Sequence, residues 1–313
     1  MRLSVWVLTD DRVGSSNQAK ALASLLGLTF EEKFLKYRKL ISFVYLHRNK
    51  LSVLEAESLD AVRDHCDVEL VISSGRRASV VALGLKELNK DLKVIQILKP
   101  AFYYSNFDIV LLPSHDKRWW RRYPNNVVFY DGAISYLSPD KLNSEWNRWF
   151  HSHSHEAEIS AANPTKFIAV LIGGNSKGCR FSDRNIDEIL SCLLEIQNNL
   201  DAYFLITCSR RTTNNHVTRL MDGLSCNGLK HHLYVPDDSN ASDNPYMAFL
   251  GGASAVIVTG DSISMCSEAC ATGKPVYVYA RDGMVSSKHW RYIKELVKSG
   301  QATLLNDGTA VHV

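Results

Sequence analysis

Residues 258–280 read VTGDSISMCSEACATGKPVYVYA and contain the pattern that decides the fold. An apolar run ends at Thr259 and is followed by a Gly-Asp-Ser turn, in which Asp261 or Ser262 can cap the next helix. The helical pattern stops at Gly273, and a second apolar run follows. A strand, a helix and a strand in this order predict an α/β unit with parallel strands.

Short apolar runs that alternate with helical patterns recur along the rest of the chain. Such runs are typical of parallel sheets that are covered by helices on both faces. They are SVWVLT (4–9), VELVISS (68–74), KVIQIL (93–98), FDIVLLP (107–113), NVVFYDG (126–132), KFIAVLIGG (166–174), AYFLITCS (202–209), LYVP (233–236), AVIVTG (255–260) and PVYVYA (275–280). We therefore predict two Rossmann-like α/β domains in tandem, facing each other across a cleft.

Length and composition agree with two globular domains. The 313 residues, 45% of them hydrophobic, are about twice the usual domain of roughly 150 residues. A polar segment near residues 150–164 separates the two sets of strands, and few contacts are expected there. We predict domains at residues 1–155 and 156–313, with the last residues able to pack back on the first domain.

Several classes of protein are disfavoured. A net charge of +3 is too small to predict nucleic-acid binding. The seven cysteines include no CxxC pair, which argues against a disulfide framework or a zinc finger and favours a reducing cytoplasm. The start MRLSVWVLTDD lacks the apolar stretch of a secretory signal and predicts a strand. The histidines of HSHSHE (151–156) lie in the expected linker, so we assign no metal.

Ligands of open parallel sheets bind beyond the carboxyl ends of the strands, where this chain has several polar loops. LIGGNSKGCRF (171–181) has glycines whose amides can approach an anion, although a glycine-rich turn without a ligand is the alternative. TCSRRT (207–212) and SSGRRAS (73–79) each place two arginines after a strand, where they can bind an anion or form surface ion pairs. The helix that follows Ser262 carries Glu268, whose carboxylate can accept hydrogen bonds from ribose hydroxyls or remain solvated.

Three residues of the first half are candidate acids or bases. Asp10 and Asp11 follow the first strand, where a carboxylate can deprotonate an acceptor hydroxyl or can form a turn or helix cap. His115 follows another strand in PSHDKRWWRRYP (113–124). Basic and aromatic residues are mixed in Lys117–Arg122 and in residues 33–50, which suits either an anionic membrane surface or aromatic core packing flanked by charges.

These motifs resemble known families. The segment S-E-x-x-x-x-G-x-P between two strands looks like the nucleotide-sugar-binding segment of GT-B glycosyltransferases, and LIGGNSKG looks like the glycine loop that opens their C-terminal domain. More closely, the chain resembles the mitochondrial-fission "elongated mitochondria" family, which is GT-B-like. The matching pieces are WVLTDDRVGSSNQA, SSGRRAS, FDIVLLPSHD, DGAI, VLIGGNSKGCRF, TCSRRT and TGDSISMCSEACATGKPV.

The resemblance implies a donor site in the second domain. It implies that Glu268 binds the ribose of a nucleotide, that the turn at Ser262 and Ser264 lies at the diphosphate, and that the glycine loop and the TCSRRT loop face the sugar and phosphates. The expected donor-site residues are Gly173, Gly174, Ser176, Lys177, Ser209, Arg210, Arg211, Asp261, Ser262, Ser264 and Glu268.

We therefore expect a metal-independent, cytoplasmic glycosyltransferase that is peripheral on the inner membrane. A nucleotide-sugar is its co-substrate, no other cofactor is needed, and a hydroxyl of a glycolipid or cell-envelope precursor is the acceptor. One alternative is a non-catalytic adaptor that recruits a partner, as the plant members of the family imply. Another is a sugar-nucleotide epimerase, against which stand the missing GxGxxG and Tyr-x-x-x-Lys patterns.

Overall fold

The computed structural model describes residues 3–38, 50–63, 67–153, 166–176, 178–236, 244–305 and 311. The chain divides into two compact units, Met1–Tyr136 and Leu137–Val313. Each unit contains one six-stranded sheet in which every strand is parallel to its neighbours. The prediction of two Rossmann-like α/β domains is confirmed.

The first unit has the strand order β2-β1-β3-β4-β5-β6. Its strands are β1 (Val5–Thr9), β2 (Glu31–Phe34), β3 (Leu70–Ser74), β4 (Lys93–Ile97), β5 (Ile109–Pro113) and β6 (Val127–Tyr130), and its α-helices are α1 (Val13–Leu25), α2 (Ala56–Ala61) and α3 (Gly75–Leu88). Alternate residues of a strand face opposite sides of the sheet. Accordingly, Val5 and Val7 pack in the cluster that contains Ala19 of α1, whereas Trp6 and Leu8 join a larger cluster on α3.

The second unit has the strand order β12-β11-β10-β7-β8-β9. Its strands are β7 (Lys166–Ile172), β8 (Ala202–Cys208), β9 (His231–Tyr234), β10 (Ala255–Thr259), β11 (Val276–Tyr279) and β12 (Thr303–Leu304), and its α-helices are α4 (Pro139–His153), α5 (Asp183–Asn199), α6 (Asn214–Cys226), α7 (Tyr246–Gly252), α8 (Ile263–Ala271) and α9 (Ser287–Lys298). Strands β8, β10 and β11 are buried along their whole length, because helices cover both faces of the sheet.

Two strands, β2 and β12, were not predicted from the sequence. Strand β2 has the sequence EEKF and is largely exposed, and β12 has only two residues. Both are edge strands, so neither needs the continuous apolar run that marks a buried strand.

The boundary between the units lies earlier in the chain than the predicted 155/156. Helix α4 belongs to the second unit, because Trp146 and Trp149 pack against its core and Gly251 of α7 lies against the backbone of Leu142. His151 and His153, predicted to lie in a linker, are in the last turn of α4. Val311, near the end of the chain, also packs against the core of the second unit rather than that of the first. No helix among the described residues is long and apolar enough to span a bilayer.

Candidate functional site

The second sheet has a topological switch point between β7 and β10. From β7 the chain continues to β8 and β9 on one side, and β10 leads to β11 and β12 on the other. At such a point the loops after the two central strands diverge and leave a crevice beyond their carboxyl ends. The loop after β7 begins with Gly173, and the loop after β10 contains Asp261.

The two glycines after β7 allow loops to approach closely. A Cβ on Gly173 would lie 2.2 Å from both carboxylate oxygens of Asp261, and a Cβ on Gly174 would lie 2.1 Å from the carbonyl oxygen of Arg211. The amide of Gly173 donates to Thr259 Oγ1 at 2.7 Å, and that of Gly174 donates to Asp261 Oδ2 at 3.0 Å. The predicted anion cradle is therefore not formed by these two amides, because both already have protein acceptors.

Asp261 is the buried centre of this arrangement. Only 2% of the residue is exposed, and its Oδ2 atom lies 2.9 Å from a guanidinium nitrogen of Arg211. Burying a carboxylate is costly unless it is paired and hydrogen-bonded, and Arg211 supplies the pair. Of the two roles that the sequence allowed for Arg211, binding an anion or forming an ion pair, the structure shows the ion pair, which is made with the protein's own buried carboxylate.

The loop after β8 is closed by its own hydroxyl groups. Ser209 Oγ accepts a hydrogen bond from the Arg211 amide at 3.1 Å, and Thr212 Oγ1 donates to the carbonyl of Gly173 at 2.5 Å. These bonds hold the β8 loop against the β7 loop and give Ser209 a structural contact. Arg210 is exposed, and its side chain forms no hydrogen bond or ion pair with any residue that the structure describes.

The rest of the glycine loop forms a small closed turn. Ser176 and Cys179 exchange two backbone hydrogen bonds of 3.1 and 3.0 Å, and Gly178 between them has φ +77°. Asn175 Oδ1 accepts the amide of Phe181 at 2.9 Å. Lys177, which was predicted to bind the donor, lies outside the described residues.

At the amino end of α8, one hydroxyl group is available to bind a ligand. Of the two caps that the sequence allowed, Ser262 is the N-cap residue, and its hydroxyl accepts the amide of Met265 at 3.4 Å. Ser264 is half-buried, and its hydroxyl forms no hydrogen bond within the described part of the chain. A helix amino end carries a partial positive charge, which favours an anion there.

Glu268 lies on α8 and is held by a tyrosine. The hydroxyl of Tyr246, the first residue of α7, donates to Glu268 Oε2 at 2.5 Å. Burial raises the pKa of Glu268, and the hydrogen bond from Tyr246 opposes that rise. The second oxygen, Oε1, accepts no hydrogen bond from any described residue. Glu268 is therefore an oriented, half-buried carboxylate with one oxygen available, and the alternative of a solvated surface glutamate is wrong.

Two residues near this site were missed by the sequence analysis. Tyr246 follows an Asn-Pro turn, and His289 of α9 hydrogen-bonds Ser286 Oγ through Nδ1 at 2.6 Å. Burial lowers the pKa of His289, while the charge and the backbone of Asp261 raise it. Both residues come from sequence segments without a motif, so only the fold identifies them.

In the first unit, Asp10 and Asp11 both pair with Arg77. Asp10 is 7% exposed, lies 3.0 Å from Arg77 through Oδ2 and accepts the amide of Arg12 at 2.8 Å through Oδ1. Asp11 is exposed and also contacts Arg77. Both oxygens of Asp10 are engaged, which favours a turn-forming role, so Asp11 is the more accessible of the two predicted bases.

His115 is 3% exposed and lies in a short 3-10 turn after β5. A proton acceptor for a substrate must be reachable, and this histidine is enclosed in the core of the first unit. The adjacent residues Lys117–Arg122 are all exposed, with Trp119 at 90% and Trp120 at 64%. They do not pack in the aromatic core, which was the alternative for this segment.

The second basic segment, residues 33–50, was predicted to suit an anionic membrane surface, but its described lysines are paired with carboxylates. Of residues 33–50, the structure describes 33–38 and 50. Within those, Lys33 pairs with Glu31, Lys36 with Glu57 and Lys50 with Glu87. The described lysines of this segment are thus neutralised by carboxylates and do not form a free basic surface.

Known proteins resemble the chain in sequence. The model of the family described as "Mitochondrial fission ELM1" matches residues 13–312. A protein of Rickettsia prowazekii (strain Madrid E) called "Uncharacterized protein RP120" is 30% identical over 97% of this chain and 91% of its own length. The mitochondrial fission protein ELM1 of Arabidopsis thaliana is 30% identical over 68% of this chain and 52% of its own length.

Solved structures resemble the chain in fold. A glycosyltransferase from Rickettsia africae ESF-5 has a TM-score of 0.53 and 10% sequence identity, covering 98% of this chain and 85% of its own. A UDP-GlcNAc 2-epimerase from Neisseria meningitidis, bound to UDP-GlcNAc, has a TM-score of 0.55 and 16% identity, covering 97% of this chain and 88% of its own. At these identities the likeness establishes the shared GT-B-like fold.

Proposed function

The chain belongs to the mitochondrial fission ELM1 family, and from this membership and the site in its second unit we propose that it is a glycosyltransferase. The donor is a nucleotide-activated sugar, and the acceptor is a hydroxyl group of a glycolipid or cell-envelope precursor. The fold that it shares with a glycosyltransferase and with an epimerase bound to UDP-GlcNAc supports this class of donor.

The observation that carries the proposal is that the Glu268 carboxylate is held in place and still has one oxygen available. Its Oε2 atom is held by Tyr246, and Oε1 is available to accept a hydrogen bond. A ribose presents two neighbouring hydroxyl donors, which a fixed carboxylate can bind. Because Glu268 follows the amino end of α8 by about one and a half turns, a nucleotide bound there places its diphosphate toward Ser262 and Ser264.

The chemistry that we propose relies on positioning and on charge. Arg210 and the amino end of α8 stabilise the nucleoside diphosphate as it leaves, so the transfer is metal-independent. Asp11 is the carboxylate that we assign as general base for the acceptor hydroxyl, because it is exposed whereas Asp10 is enclosed. The ion pair between the buried Asp261 and Arg211 holds the loops after β7, β8 and β10 in place.

The test is nucleotide binding by wild type and by Glu268→Gln, measured by isothermal titration calorimetry with UDP, GDP, ADP and CMP. We expect one nucleotide to bind the wild type and to bind Glu268→Gln roughly ten- to a hundredfold more weakly, because a hydrogen bond to a charged group is worth about 1.5–3 kcal/mol. The matched control is Glu195→Gln, since Glu195 is an exposed glutamate of α5 in the same unit.

Each outcome decides between the proposed functions. Binding that is lost in Glu268→Gln and kept in Glu195→Gln supports the donor site and identifies the base. Incubation with the nucleotide-sugar of that base then separates the two enzyme classes, because conversion of the sugar to its epimer would favour the epimerase. Absence of binding by every nucleotide and nucleotide-sugar would contradict the transferase and leave the adaptor function.

The first unit, to which we assign the acceptor, carries a surface that fits an anionic membrane. Four cations and two exposed indole rings follow one another in Lys117–Arg122, and the guanidinium of Arg118 lies 5.6 Å from the ring centre of Trp120. Exposed tryptophans lose unfavourable contact with water at the headgroup level, and lysine or arginine pairs with lipid phosphates. This surface supports a membrane-borne acceptor and a peripheral position on the cytoplasmic face of the membrane.

Vesicle sedimentation tests this surface. We expect binding to phosphatidylcholine vesicles only when they contain phosphatidylglycerol, and a roughly thirtyfold weaker affinity for the variant Arg118→Gln/Arg122→Gln, at about 1 kcal/mol per cation. Trp119→Ala is expected to weaken binding as well, whereas Leu88→Ala, at an exposed apolar side chain of α3, is not. Equal binding to neutral and anionic vesicles would contradict the electrostatic contribution.

A further inference from the structure

The first sheet has its own topological switch point, between β1 and β3. Strand β1 is followed by β2 on one side, and β3 is followed by β4, β5 and β6 on the other. The loops after β1 and β3 therefore diverge, as the loops after β7 and β10 do in the second unit. The transfer reaction described above assigns only Asp11 at this place.

Two helices begin at this switch point, and neither is capped by a side chain. Helix α1 follows β1, and α3 follows β3 directly; the side chains of the N-cap residues Arg12 and Ser74 form no capping hydrogen bond with their helices. Neither helix has an acidic residue in its first turn. The two amino ends are adjacent, since Ser15 Oγ would lie 3.5 Å from a Cβ on Gly75.

Ser74 gives a second, independent observation. The residue is 5% exposed, and its buried hydroxyl has no hydrogen-bond partner among the described residues. A buried hydroxyl without a partner is uncommon because it costs about 1–3 kcal/mol. As the N-cap residue of α3, Ser74 carries this unpartnered hydroxyl at the amino end of the helix.

The charge balance at the switch point is positive. Arg77 is neutralised by Asp10 and Asp11. Arg76, in the first turn of α3, and Arg12 are both exposed, and their side chains form no ion pair within the described ranges. Arg12 lies close to this cluster, because its amide donates to Asp10 Oδ1 at 2.8 Å and Asp10 Oδ2 lies 3.0 Å from Arg77.

The turn between β3 and α3 is held rigidly. Gln96 is fully buried; its side-chain nitrogen donates to the carbonyl of Gly75 at 3.1 Å, and its oxygen accepts the hydroxyl of Ser73 at 2.6 Å. Gly75 has φ +79°, which favours glycine there. A turn fixed by buried hydrogen bonds is preorganised, so a ligand binds without the cost of ordering it.

We propose that the first unit contains a phosphate-binding site at the amino ends of α1 and α3, formed by Ser74, Arg76 and Arg12, and that it binds a phosphate or diphosphate group of the acceptor. Two uncapped helix ends and two free guanidinium groups match the charge of such a group. The assignment to the acceptor rests on the proposed glycosyl transfer. The site itself does not.

Calorimetric titration with inorganic pyrophosphate tests the site. The donor site of the second unit can also bind this probe, so the background is the full-length variant Arg210→Gln/Ser264→Ala. In that background we expect Arg76→Gln and Ser74→Ala each to weaken pyrophosphate binding about tenfold. The control Arg63→Gln changes an exposed arginine of the same unit that pairs with Asp60, and it is expected to leave the affinity unchanged.

The outcomes separate this site from the donor site. Pyrophosphate binding that is unaffected by both Arg76→Gln and Ser74→Ala, or absent from the background variant, would overturn the proposal even where Glu268 proves to bind a nucleotide. Conversely, pyrophosphate binding that depends on Arg76 while no nucleotide binds would retain this site and remove the proposed function.

Geranyl diphosphate distinguishes the sources of the phosphate. If it binds more tightly than pyrophosphate and this binding is lost in Arg76→Gln, the acceptor is a lipid diphosphate, in agreement with the basic and aromatic surface at Lys117–Arg122. If geranyl diphosphate and pyrophosphate bind equally tightly, and both bind more weakly to Arg76→Gln, the acceptor is a water-soluble phosphorylated compound. Both results support the phosphate site.

Discussion

Replacing Gly173 by alanine is expected to destabilise the second unit by about 3 kcal/mol, which is the cost of forcing an extra carbon into a filled, rigid interior. The new Cβ would lie 2.2 Å from both carboxylate oxygens of Asp261. That carboxylate cannot move aside freely, because it is buried, accepts the amide of Gly174 and pairs with Arg211. The substitution must therefore break these bonds or displace the loop after β7.

Thermal unfolding checks this prediction. For a unit of this size, the expected loss lowers the unfolding midpoint by roughly 6–12 °C. The control is Gly228→Ala, where no atom lies within 4 Å of the new Cβ and only the φ of +59° is unfavourable, at about 1 kcal/mol. Equal effects of the two variants would contradict the close packing of Gly173 on Asp261.

A double variant tests whether the destabilisation of Gly173→Ala arises from the collision between the new Cβ and Asp261. Asp261→Ala alone leaves Arg211 and the Gly174 amide without their acceptor, but it also removes the atoms that collide with a Cβ on residue 173. The combined loss in Gly173→Ala/Asp261→Ala is therefore expected to be smaller than the sum of the two single losses. If the stability loss of the double variant equals the sum of the two single losses, the two residues do not compete for the same space.

The second large effect is expected at Trp149 on α4. Trp149→Ala should destabilise the second unit by about 4 kcal/mol, as is usual for truncation of a buried tryptophan. The side chain is 8% exposed and makes edge contacts with Phe249 and His232 at ring-centre distances of 5.1 Å each. These contacts join α4 to α7 and β9, which is the reason why α4 belongs to the second unit.

Hydrogen exchange followed by mass spectrometry resolves where the loss occurs. We expect faster exchange in peptides of α4, α7 and β9 in Trp149→Ala, and unchanged exchange in β1 and β3 of the first unit. Trp119→Ala, at a residue that is 90% exposed, should change the stability by less than about 0.5 kcal/mol. Faster exchange in β1 and β3 alone would show that α4 stabilises the first unit instead.

Much of the fold follows from the sequence because buried parallel strands must be almost continuously apolar. AVIVT in β10 and VYVY in β11 are such runs, and the residues between them contain the cap Ser262 and the terminator Gly273. Edge strand β2, by contrast, reads EEKF, and its pairing with β1 leaves no apolar signature. Helix α4 is largely polar, and its sequence does not tell which core Trp146 and Trp149 join.

The candidate site, like the fold, was predicted only in part from the sequence. A motif indicated Ser262 and Glu268, and the structure gives the first a capping bond and the second a partner in Tyr246. Glycines and arginines were assigned to an anion from their positions after strands. Position alone does not reveal that the amides of Gly173 and Gly174 are already bonded, or that Arg211 has a carboxylate partner.

The sequence by itself therefore determined the two parallel α/β sheets, the strand ends at which polar loops gather, and the family, because these depend on local patterning and on motifs. The tertiary structure alone decided which polar groups remain available to a ligand. Asp261 accepts the amide of Gly174 and pairs with Arg211, and Thr259 accepts the amide of Gly173, so these groups already have partners within the protein, whereas Glu268, Arg210, Ser74 and Arg76 keep capacity for a ligand. The physical reason is that hydrogen bonds and ion pairs between distant segments depend on three-dimensional proximity, which no spacing along the chain encodes.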